Sequence, residues 1–329
     1  MEPEETLDEQ SLLVEEASSP EPSALLPFFF ALVLLSFLRV LLGYVSVPLQ
    51  FVKLGTVLST VVFIGVPIFA LYYAGRYRWT SRSALTFVGI GLLIHFGIGY
   101  AIGQQMLHNK GFLAAVCVSL GAECGFPMWC VGFGALLASF IKDRNLIVPV
   151  SIFLIGFDIF LVLTPLGITQ KILKQAPQVF QAVAMPIPQV TAAPTHGPLQ
   201  VLGGIGPADF LFMGMFFVAL FRFKLRSRAT VLCLVPAVLL YMLLIIKYPA
   251  LPMLVPIGLT VLLVNLPEFK MNKEEKLSTI GVLVIVVLVI MGSFFALKIR
   301  QAEPSQSGAV QAVQVSAGSP GQAPAGSHP

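Results

Sequence analysis

FLAAVCVSLGAECGFPMWCVGFGALLASF, residues 112–140, is an apolar run whose reading decides the topology of the whole chain. A straight helix needs about 20 apolar residues to cross a hydrocarbon core of roughly 30 Å. This run is longer, and it contains Gly121, Gly125 and Pro127, so it is either one kinked or tilted crossing or a hairpin of two. Eight further apolar runs flank it, at 25–43, 54–74, 83–103, 146–166, 203–221, 229–246, 252–266 and 279–297. Basic residues choose between the two readings. Arg76, Arg78 and Arg82 follow the second run, and Lys142 and Arg144 follow the fourth. Arg222, Lys224, Arg226 and Arg228 follow the sixth, and Lys270, Lys273 and Lys276 the eighth. These loops share one side only if residues 112–140 cross once. The positive-inside rule then puts them and the N-terminus in the cytoplasm, with the C-terminus outside. The expectation is an all-α polytopic transmembrane bundle of about nine helices, with compact loops that suit a bacterial inner membrane.

Composition agrees with a lipid solvent. Of the 329 residues, 57% are hydrophobic and 11% charged, against about 25% charged in an ordinary soluble domain. The formal charge of +4 comes from short clusters between apolar runs, which gives no case for nucleic-acid binding. The four cysteines lie in apolar runs without a metal-ligand spacing and read as small buried hydrophobes. Five segments follow: an acidic disordered tail over 1–24, N-terminal membrane helices over 25–145, and a core region over 146–266. A cytoplasmic loop and last helix occupy 267–300, and a disordered tail 301–329. Within the core region the Pro-rich stretch 167–202 reads as a flexible external loop with an interfacial stretch around 172–183.

Eight of the 16 acidic residues precede the first apolar run, so an acid inside a run needs explaining. Glu123, Asp158 and Asp209 are such acids, and a charge at the bilayer centre costs on the order of 3 kcal/mol even on lenient scales. At about 1.5 Å per residue, Asp158 lies roughly 12 Å from the outer edge and Asp209 about 9 Å from it. Two carboxyls that meet in a low dielectric share one proton. One can then draw a proton from water as it attacks a peptide carbonyl, while the protonated partner stabilises the oxyanion. A proton or ion relay in a transporter, or two separately satisfied polar residues, are the other readings of the same depth.

The surrounding residues resemble the presenilin and signal peptide peptidase family of intramembrane aspartyl proteases. The family's Tyr-Asp motif reads Gly156-Phe157-Asp158-Ile159-Phe160 here, and its Gly-x-Gly-Asp reads Gly206-Pro207-Ala208-Asp209-Phe210. Its Pro-Ala-Leu stands intact at Pro249-Ala250-Leu251, and the following Leu254-Val255-Pro256 looks closer to signal peptide peptidase. The resemblance covers roughly residues 146–266 and implies a presenilin-like bundle that cleaves transmembrane segments of other membrane proteins within the lipid bilayer. It implies Asp158 and Asp209 as the catalytic pair, with Pro249, Ala250, Leu251, Gly206 and Phe157 contacting substrate, and neither metal nor organic cofactor. Two departures stand out: Phe157 lacks the family hydroxyl, and Pro207-Ala208 replace the backbone freedom of glycine. They motivate a second reading, a membrane scaffold that has kept the fold and lost the reaction. A prepilin-type peptidase, also built on a glycine-flanked aspartate, is a weaker rival because it gives Pro-Ala-Leu no role.

Other polar residues read more plainly. Glu123 makes a local polar pair or sits at a wet kink, and Arg39 and Lys53 snorkel or pair. His95 is a satisfied packing residue, Lys247 an interfacial anchor, and Gly89, Gly91, Gly97 and Gly99 mark close helix packing.

Overall fold

Helix α1 (Leu26–Leu42) carries Pro27 in its first turn, where a missing N–H removes no helical bond. It is followed by α2 (Val52–Gly75) and by α3 (Ser81–Leu92), which continues in π-helical turns over Leu93–Ile102. Thr80 caps α3: its Oγ1 accepts the Ser83 N–H at 3.2 Å, and Ser83 Oγ accepts the Thr80 N–H at 3.0 Å. The computed structural model describes residues 22–102, 112–164, 183–193, 199–242 and 251–302, with Thr169 and Leu244. Within these, α5 spans Ile147–Leu163, α6 Pro207–Arg222, α7 Ser227–Met242, α8 Leu254–Asn265 and α9 Lys273–Ala302.

The run that decides the topology is a single helix, α4, built from Phe112–Leu120, a π turn over Gly121–Gly125, and Phe126–Phe140. Pro127 has no N–H for the carbonyl of Glu123, and the chain absorbs the mismatch by widening one turn, so that Phe126 N–H reaches Gly121 O. The hairpin alternative is thereby excluded. The basic loops do meet at one end of the bundle: Asn145 Nδ2 donates to Lys270 O at 3.1 Å, and Arg226 pairs with Glu268 at 2.9 Å.

Among the described residues, six helices are long and apolar enough to cross a membrane, over Ser23–Leu42, Leu49–Gly75, Ser81–Gly99, Ala115–Phe140, Arg144–Leu163 and Lys273–Ser293. Large apolar side chains on their outer faces, such as Leu26, Leu54 and Leu288, are exposed, as lipid contact requires. The chain is an integral membrane protein. Helices α6 and α8 are shorter and α7 is described only to Met242; the expectation that the sixth run is helical from residue 203 is corrected. Residues 203–205 belong to a strand, and residues 251–253 are not helical. Non-helical backbone at membrane depth is tolerated where it faces protein or a wet cavity.

The loop between α5 and α6 also departs from expectation. Strands β1 (Met185–Pro188) and β2 (Val201–Ile205) pair antiparallel. Met185, Ile187 and Val190 are buried, so this part of the loop is docked onto the bundle rather than loose. The stretch 170–182 lies outside the described residues.

Packing is tightest where glycines let backbones touch. Gly99 of α3 and Gly121 of α4 meet backbone to backbone, and His95 Nδ1 donates to Gly121 O at 3.0 Å beside them. Gly91 makes the same kind of approach to Trp129, whereas Gly89 has nothing within 4 Å and Gly97 meets only Leu93 of its own helix. The small-residue reading of α3 therefore holds for two of its four glycines. Arg39 and Glu123, read separately from sequence, pair with each other, and Lys53 is exposed. Of the cysteines, Cys130 is buried, Cys117 and Cys124 are half-buried and Cys233 is exposed on α7, where the buried reading fails.

Gly134 joins α4 to α6. A Cβ there would stand 2.5 Å from Leu211 O and 2.7 Å from Met215 N, both backbone atoms with no rotamer to yield. Gly134→Ala is expected to cost about 1–3 kcal/mol by overpacking, read as a lower unfolding midpoint in detergent, while Gly89→Ala leaves the midpoint unchanged or higher.

Candidate active site

Asp158 projects from the last turns of α5 and is buried, with 8% of its surface exposed. Its Oδ2 accepts the Leu254 N–H at 2.7 Å. Leu254 opens α8, so the carboxylate occupies the N-terminus of that helix. There the first N–H groups have no intrahelical partner, and the helix dipole favours negative charge. The non-helical residues 251–253 create this opening, which is the physical use of Pro252.

Asp209 comes from the first turn of α6. Pro207 starts that helix, and Asp209, two residues on, turns its Oδ2 back to the Gly206 N–H at 3.1 Å. This is the acidic half of a capping box. The start of α6 is held from α4: Phe126 meets Phe210 edge-on at 5.1 Å, and Cys130 Sγ donates to Pro207 O at 3.7 Å. Asp209 is half-buried.

The two aspartates named from sequence lie within electrostatic range of each other, Asp158 acting on Asp209, and each commits one oxygen to a backbone N–H. Tyr241 of α7 stands within electrostatic range of Asp158, and Cys130 within range of Asp209. Sequence reading gave neither a role. A tyrosine near the end of an apolar helix looks like an interfacial anchor, and only the packing of α7 beside α8 turns it toward the site.

The remaining candidates are placed unequally. Gly206 donates to Asp209, and Leu251 is half-buried in the stretch before α8. Pro249, Ala250 and Lys247 lie outside the described residues. Phe157 stacks on Phe153 at 5.7 Å and lines a groove of about 370 Å³ between α5 and α9 with Gly156, Phe160, Val286 and Val289. It faces α9 rather than Asp209, so the ring position that the family fills with tyrosine points away from the pair. Gly206 has extended backbone (φ −68°, ψ 155°), and no described glycine or alanine here has a positive φ. Pro207 and Ala208 therefore sit in ordinary helix-start geometry that does not call for glycine.

Strand β2 runs straight into this site, and among the described residues its outer edge is open. The carbonyl of Pro186 on β1 accepts from Arg39, and that of Pro188 accepts from Ser59 Oγ at 3.3 Å, which closes the outer edge of β1. On β2, Val201 and Leu202 are 52% and 53% exposed, and among the described residues the sheet has no third strand. Gly204 stands opposite Pro186. Because Pro186 has no N–H and turns its carbonyl to Arg39, this is a pair whose groups point outward, and the Gly204 N–H and C=O face the open edge. Comparison of the chain with models of protein families, with curated proteins and with solved structures finds no match.

Proposed function

We propose that this protein is an intramembrane aspartyl protease that hydrolyses peptide bonds within transmembrane segments of other membrane proteins. The observation that carries the reading is that Asp158 and Asp209, from two helices, lie within electrostatic range of each other, each bound to a backbone N–H where the chain leaves helical geometry inside a membrane bundle. With one proton between them, one carboxylate takes a proton from water as its oxygen attacks the scissile carbonyl. The protonated partner stabilises the developing oxyanion and then returns a proton to the leaving amine. Water and the pair suffice, without metal or organic cofactor. The resemblance to presenilin and signal peptide peptidase supports the same roles.

A peptide bond inside a helix is shielded by its own hydrogen bonds, so a substrate must unwind before attack. The open edge of β2 gives an unwound segment somewhere to pair, a few residues from Asp209. Orientation follows the basic loops: that end is cytoplasmic in a bacterial inner membrane, the N-terminus is inside, and the aspartates lie toward the outer leaflet.

The test is direct. Purified protein in liposomes is given a reporter membrane peptide, and products are identified by mass spectrometry with and without a hydroxyl-bearing transition-state isostere of aspartic proteases. Cleavage inside the transmembrane segment that the isostere blocks supports the proposal; neither cleavage nor labelling by a photoreactive form of the isostere removes it. For the strand, Gly204→Pro deletes one outward N–H and is expected to lower kcat/KM about five- to tenfold, mainly through KM. Gly204→Ala, which keeps the N–H, stays near wild type.

A further inference from the structure

At the basic end of the bundle, far from the aspartates, the termini of α2, α4 and α6 surround a cavity of about 500 Å³. Its lining includes Arg76, Arg78, Arg222 and Lys224 and, among the described residues, no carboxylate. Three helix C-termini meet there, and their carbonyl ends attract cations. That attraction amounts to about half a charge per helix, roughly 1.5 in all. The three full positive charges of Arg76, Arg222 and Lys224, without counting Arg78, exceed it, and the described lining has a net positive field.

Two of the cations are set in place. Arg222 Nη1 donates to Ala138 O at 3.3 Å, which ties the guanidinium to the end of α4. Lys224 ends α6 in left-handed backbone, with φ 54°. Around it the Lys224 N–H reaches Phe221 O at 3.1 Å and the Leu225 N–H reaches Leu220 O at 2.9 Å, the two bonds of a Schellman stop. Glycine is the residue that takes this conformation without strain. The helix stop accounts for the left-handed backbone, and lysine in place of glycine there carries a local strain while placing a cation at the cavity.

We propose that this cavity binds the headgroup of an anionic phospholipid. The shared chemistry is a phosphate oxyanion, and the surroundings favour a lipid source over a soluble one. The cavity lies at the ends of membrane helices beside Tyr77 and Trp79, the aromatic types that sit at headgroup level. Next to the lining residue Ser139, Phe140 is 75% exposed and offers an apolar surface to an acyl chain. Trp79 is itself fixed by its indole N–H, donated to Ala74 O at 2.9 Å.

Native mass spectrometry of the full chain, released from detergent with phosphatidylglycerol or with phosphatidylcholine of the same acyl chains, tests this. Phosphatidylglycerol is expected to be retained preferentially, and Lys224→Gly and Arg76→Gln each to lose about fivefold of that preference. Lys224→Gly also relieves the left-handed strain, so its midpoint in lipid-free detergent should rise, which separates lost binding from lost fold. Lys270→Gln, on the same end but outside the cavity, is expected to change nothing. Equal retention of the two lipids, an equal loss in Lys270→Gln, or displacement of phosphatidylglycerol by millimolar inorganic phosphate would each overturn the assignment.

Discussion

Asp158→Asn and Asp209→Asn, each alone, reduce cleavage of a reporter membrane peptide by about 10⁴-fold or more, while the protein stays folded. Asparagine keeps the size of aspartate and keeps a carbonyl oxygen. The Leu254 N–H and the Gly206 N–H, now bonded at 2.7 and 3.1 Å, therefore keep their acceptors. What disappears is the ability to gain and lose a proton. A pair that needs one protonated and one ionised member cannot operate with either member neutral and fixed, so the double variant should be no worse than the singles. In the wild type the rate should pass through a maximum with pH, falling where the pair holds two protons and where it holds none. Unfolding midpoints in detergent check the fold. Cleavage persisting in both single variants, with the fold intact, would send the reading back to two unrelated polar residues.

How much of this was legible beforehand follows from which forces are local. The membrane bundle was, because lipid demands long apolar runs and the basic residues record which ends lie together. The single crossing of α4 was inferred from charge alone, and the π turn at Gly121–Gly125 is the local device that makes it feasible. Asp158 and Asp209 stood out because charge is rare in such runs. The hairpin did not: Met185–Pro188 is rich in proline and reads as loop. Its strand character comes from partners distant in sequence, Arg39 and Ser59, which take up the carbonyls of Pro186 and Pro188. Tyr241 and Leu254 gain their places at the site from tertiary packing, and no motif marks a backbone N–H as a ligand.

The pairing of Arg39 with Glu123 is the second place where a large effect is expected. Arg39 is 7% exposed and Glu123 fully buried. Arg39 Nε donates to Glu123 Oε1 and its Nη2 to Pro186 O, and its guanidinium lies 4.9 Å over the Phe63 ring. One side chain of α1 thus holds the π turn of α4 and the closed edge of β1. Arg39→Met strands a buried carboxylate whose Oε2 already has no hydrogen-bond partner among the described residues. The expected loss is about 3–5 kcal/mol, measured by unfolding in mixed micelles. Among the described residues Glu123→Met leaves the guanidinium with Pro186 and Phe63 and should lose a similar amount. Burying two charges is expensive in the first place, so Arg39→Met with Glu123→Met should recover most of the stability, to within about 1–2 kcal/mol of wild type. Activity should not follow. Without Arg39 the carbonyl of Pro186 loses its donor, β1 is free to shift, and the open edge of β2 moves with it. A double variant that regains its midpoint but keeps a raised KM would show that this ion pair serves the placement of the strand. Recovery of KM together with the midpoint would reduce it to a packing element.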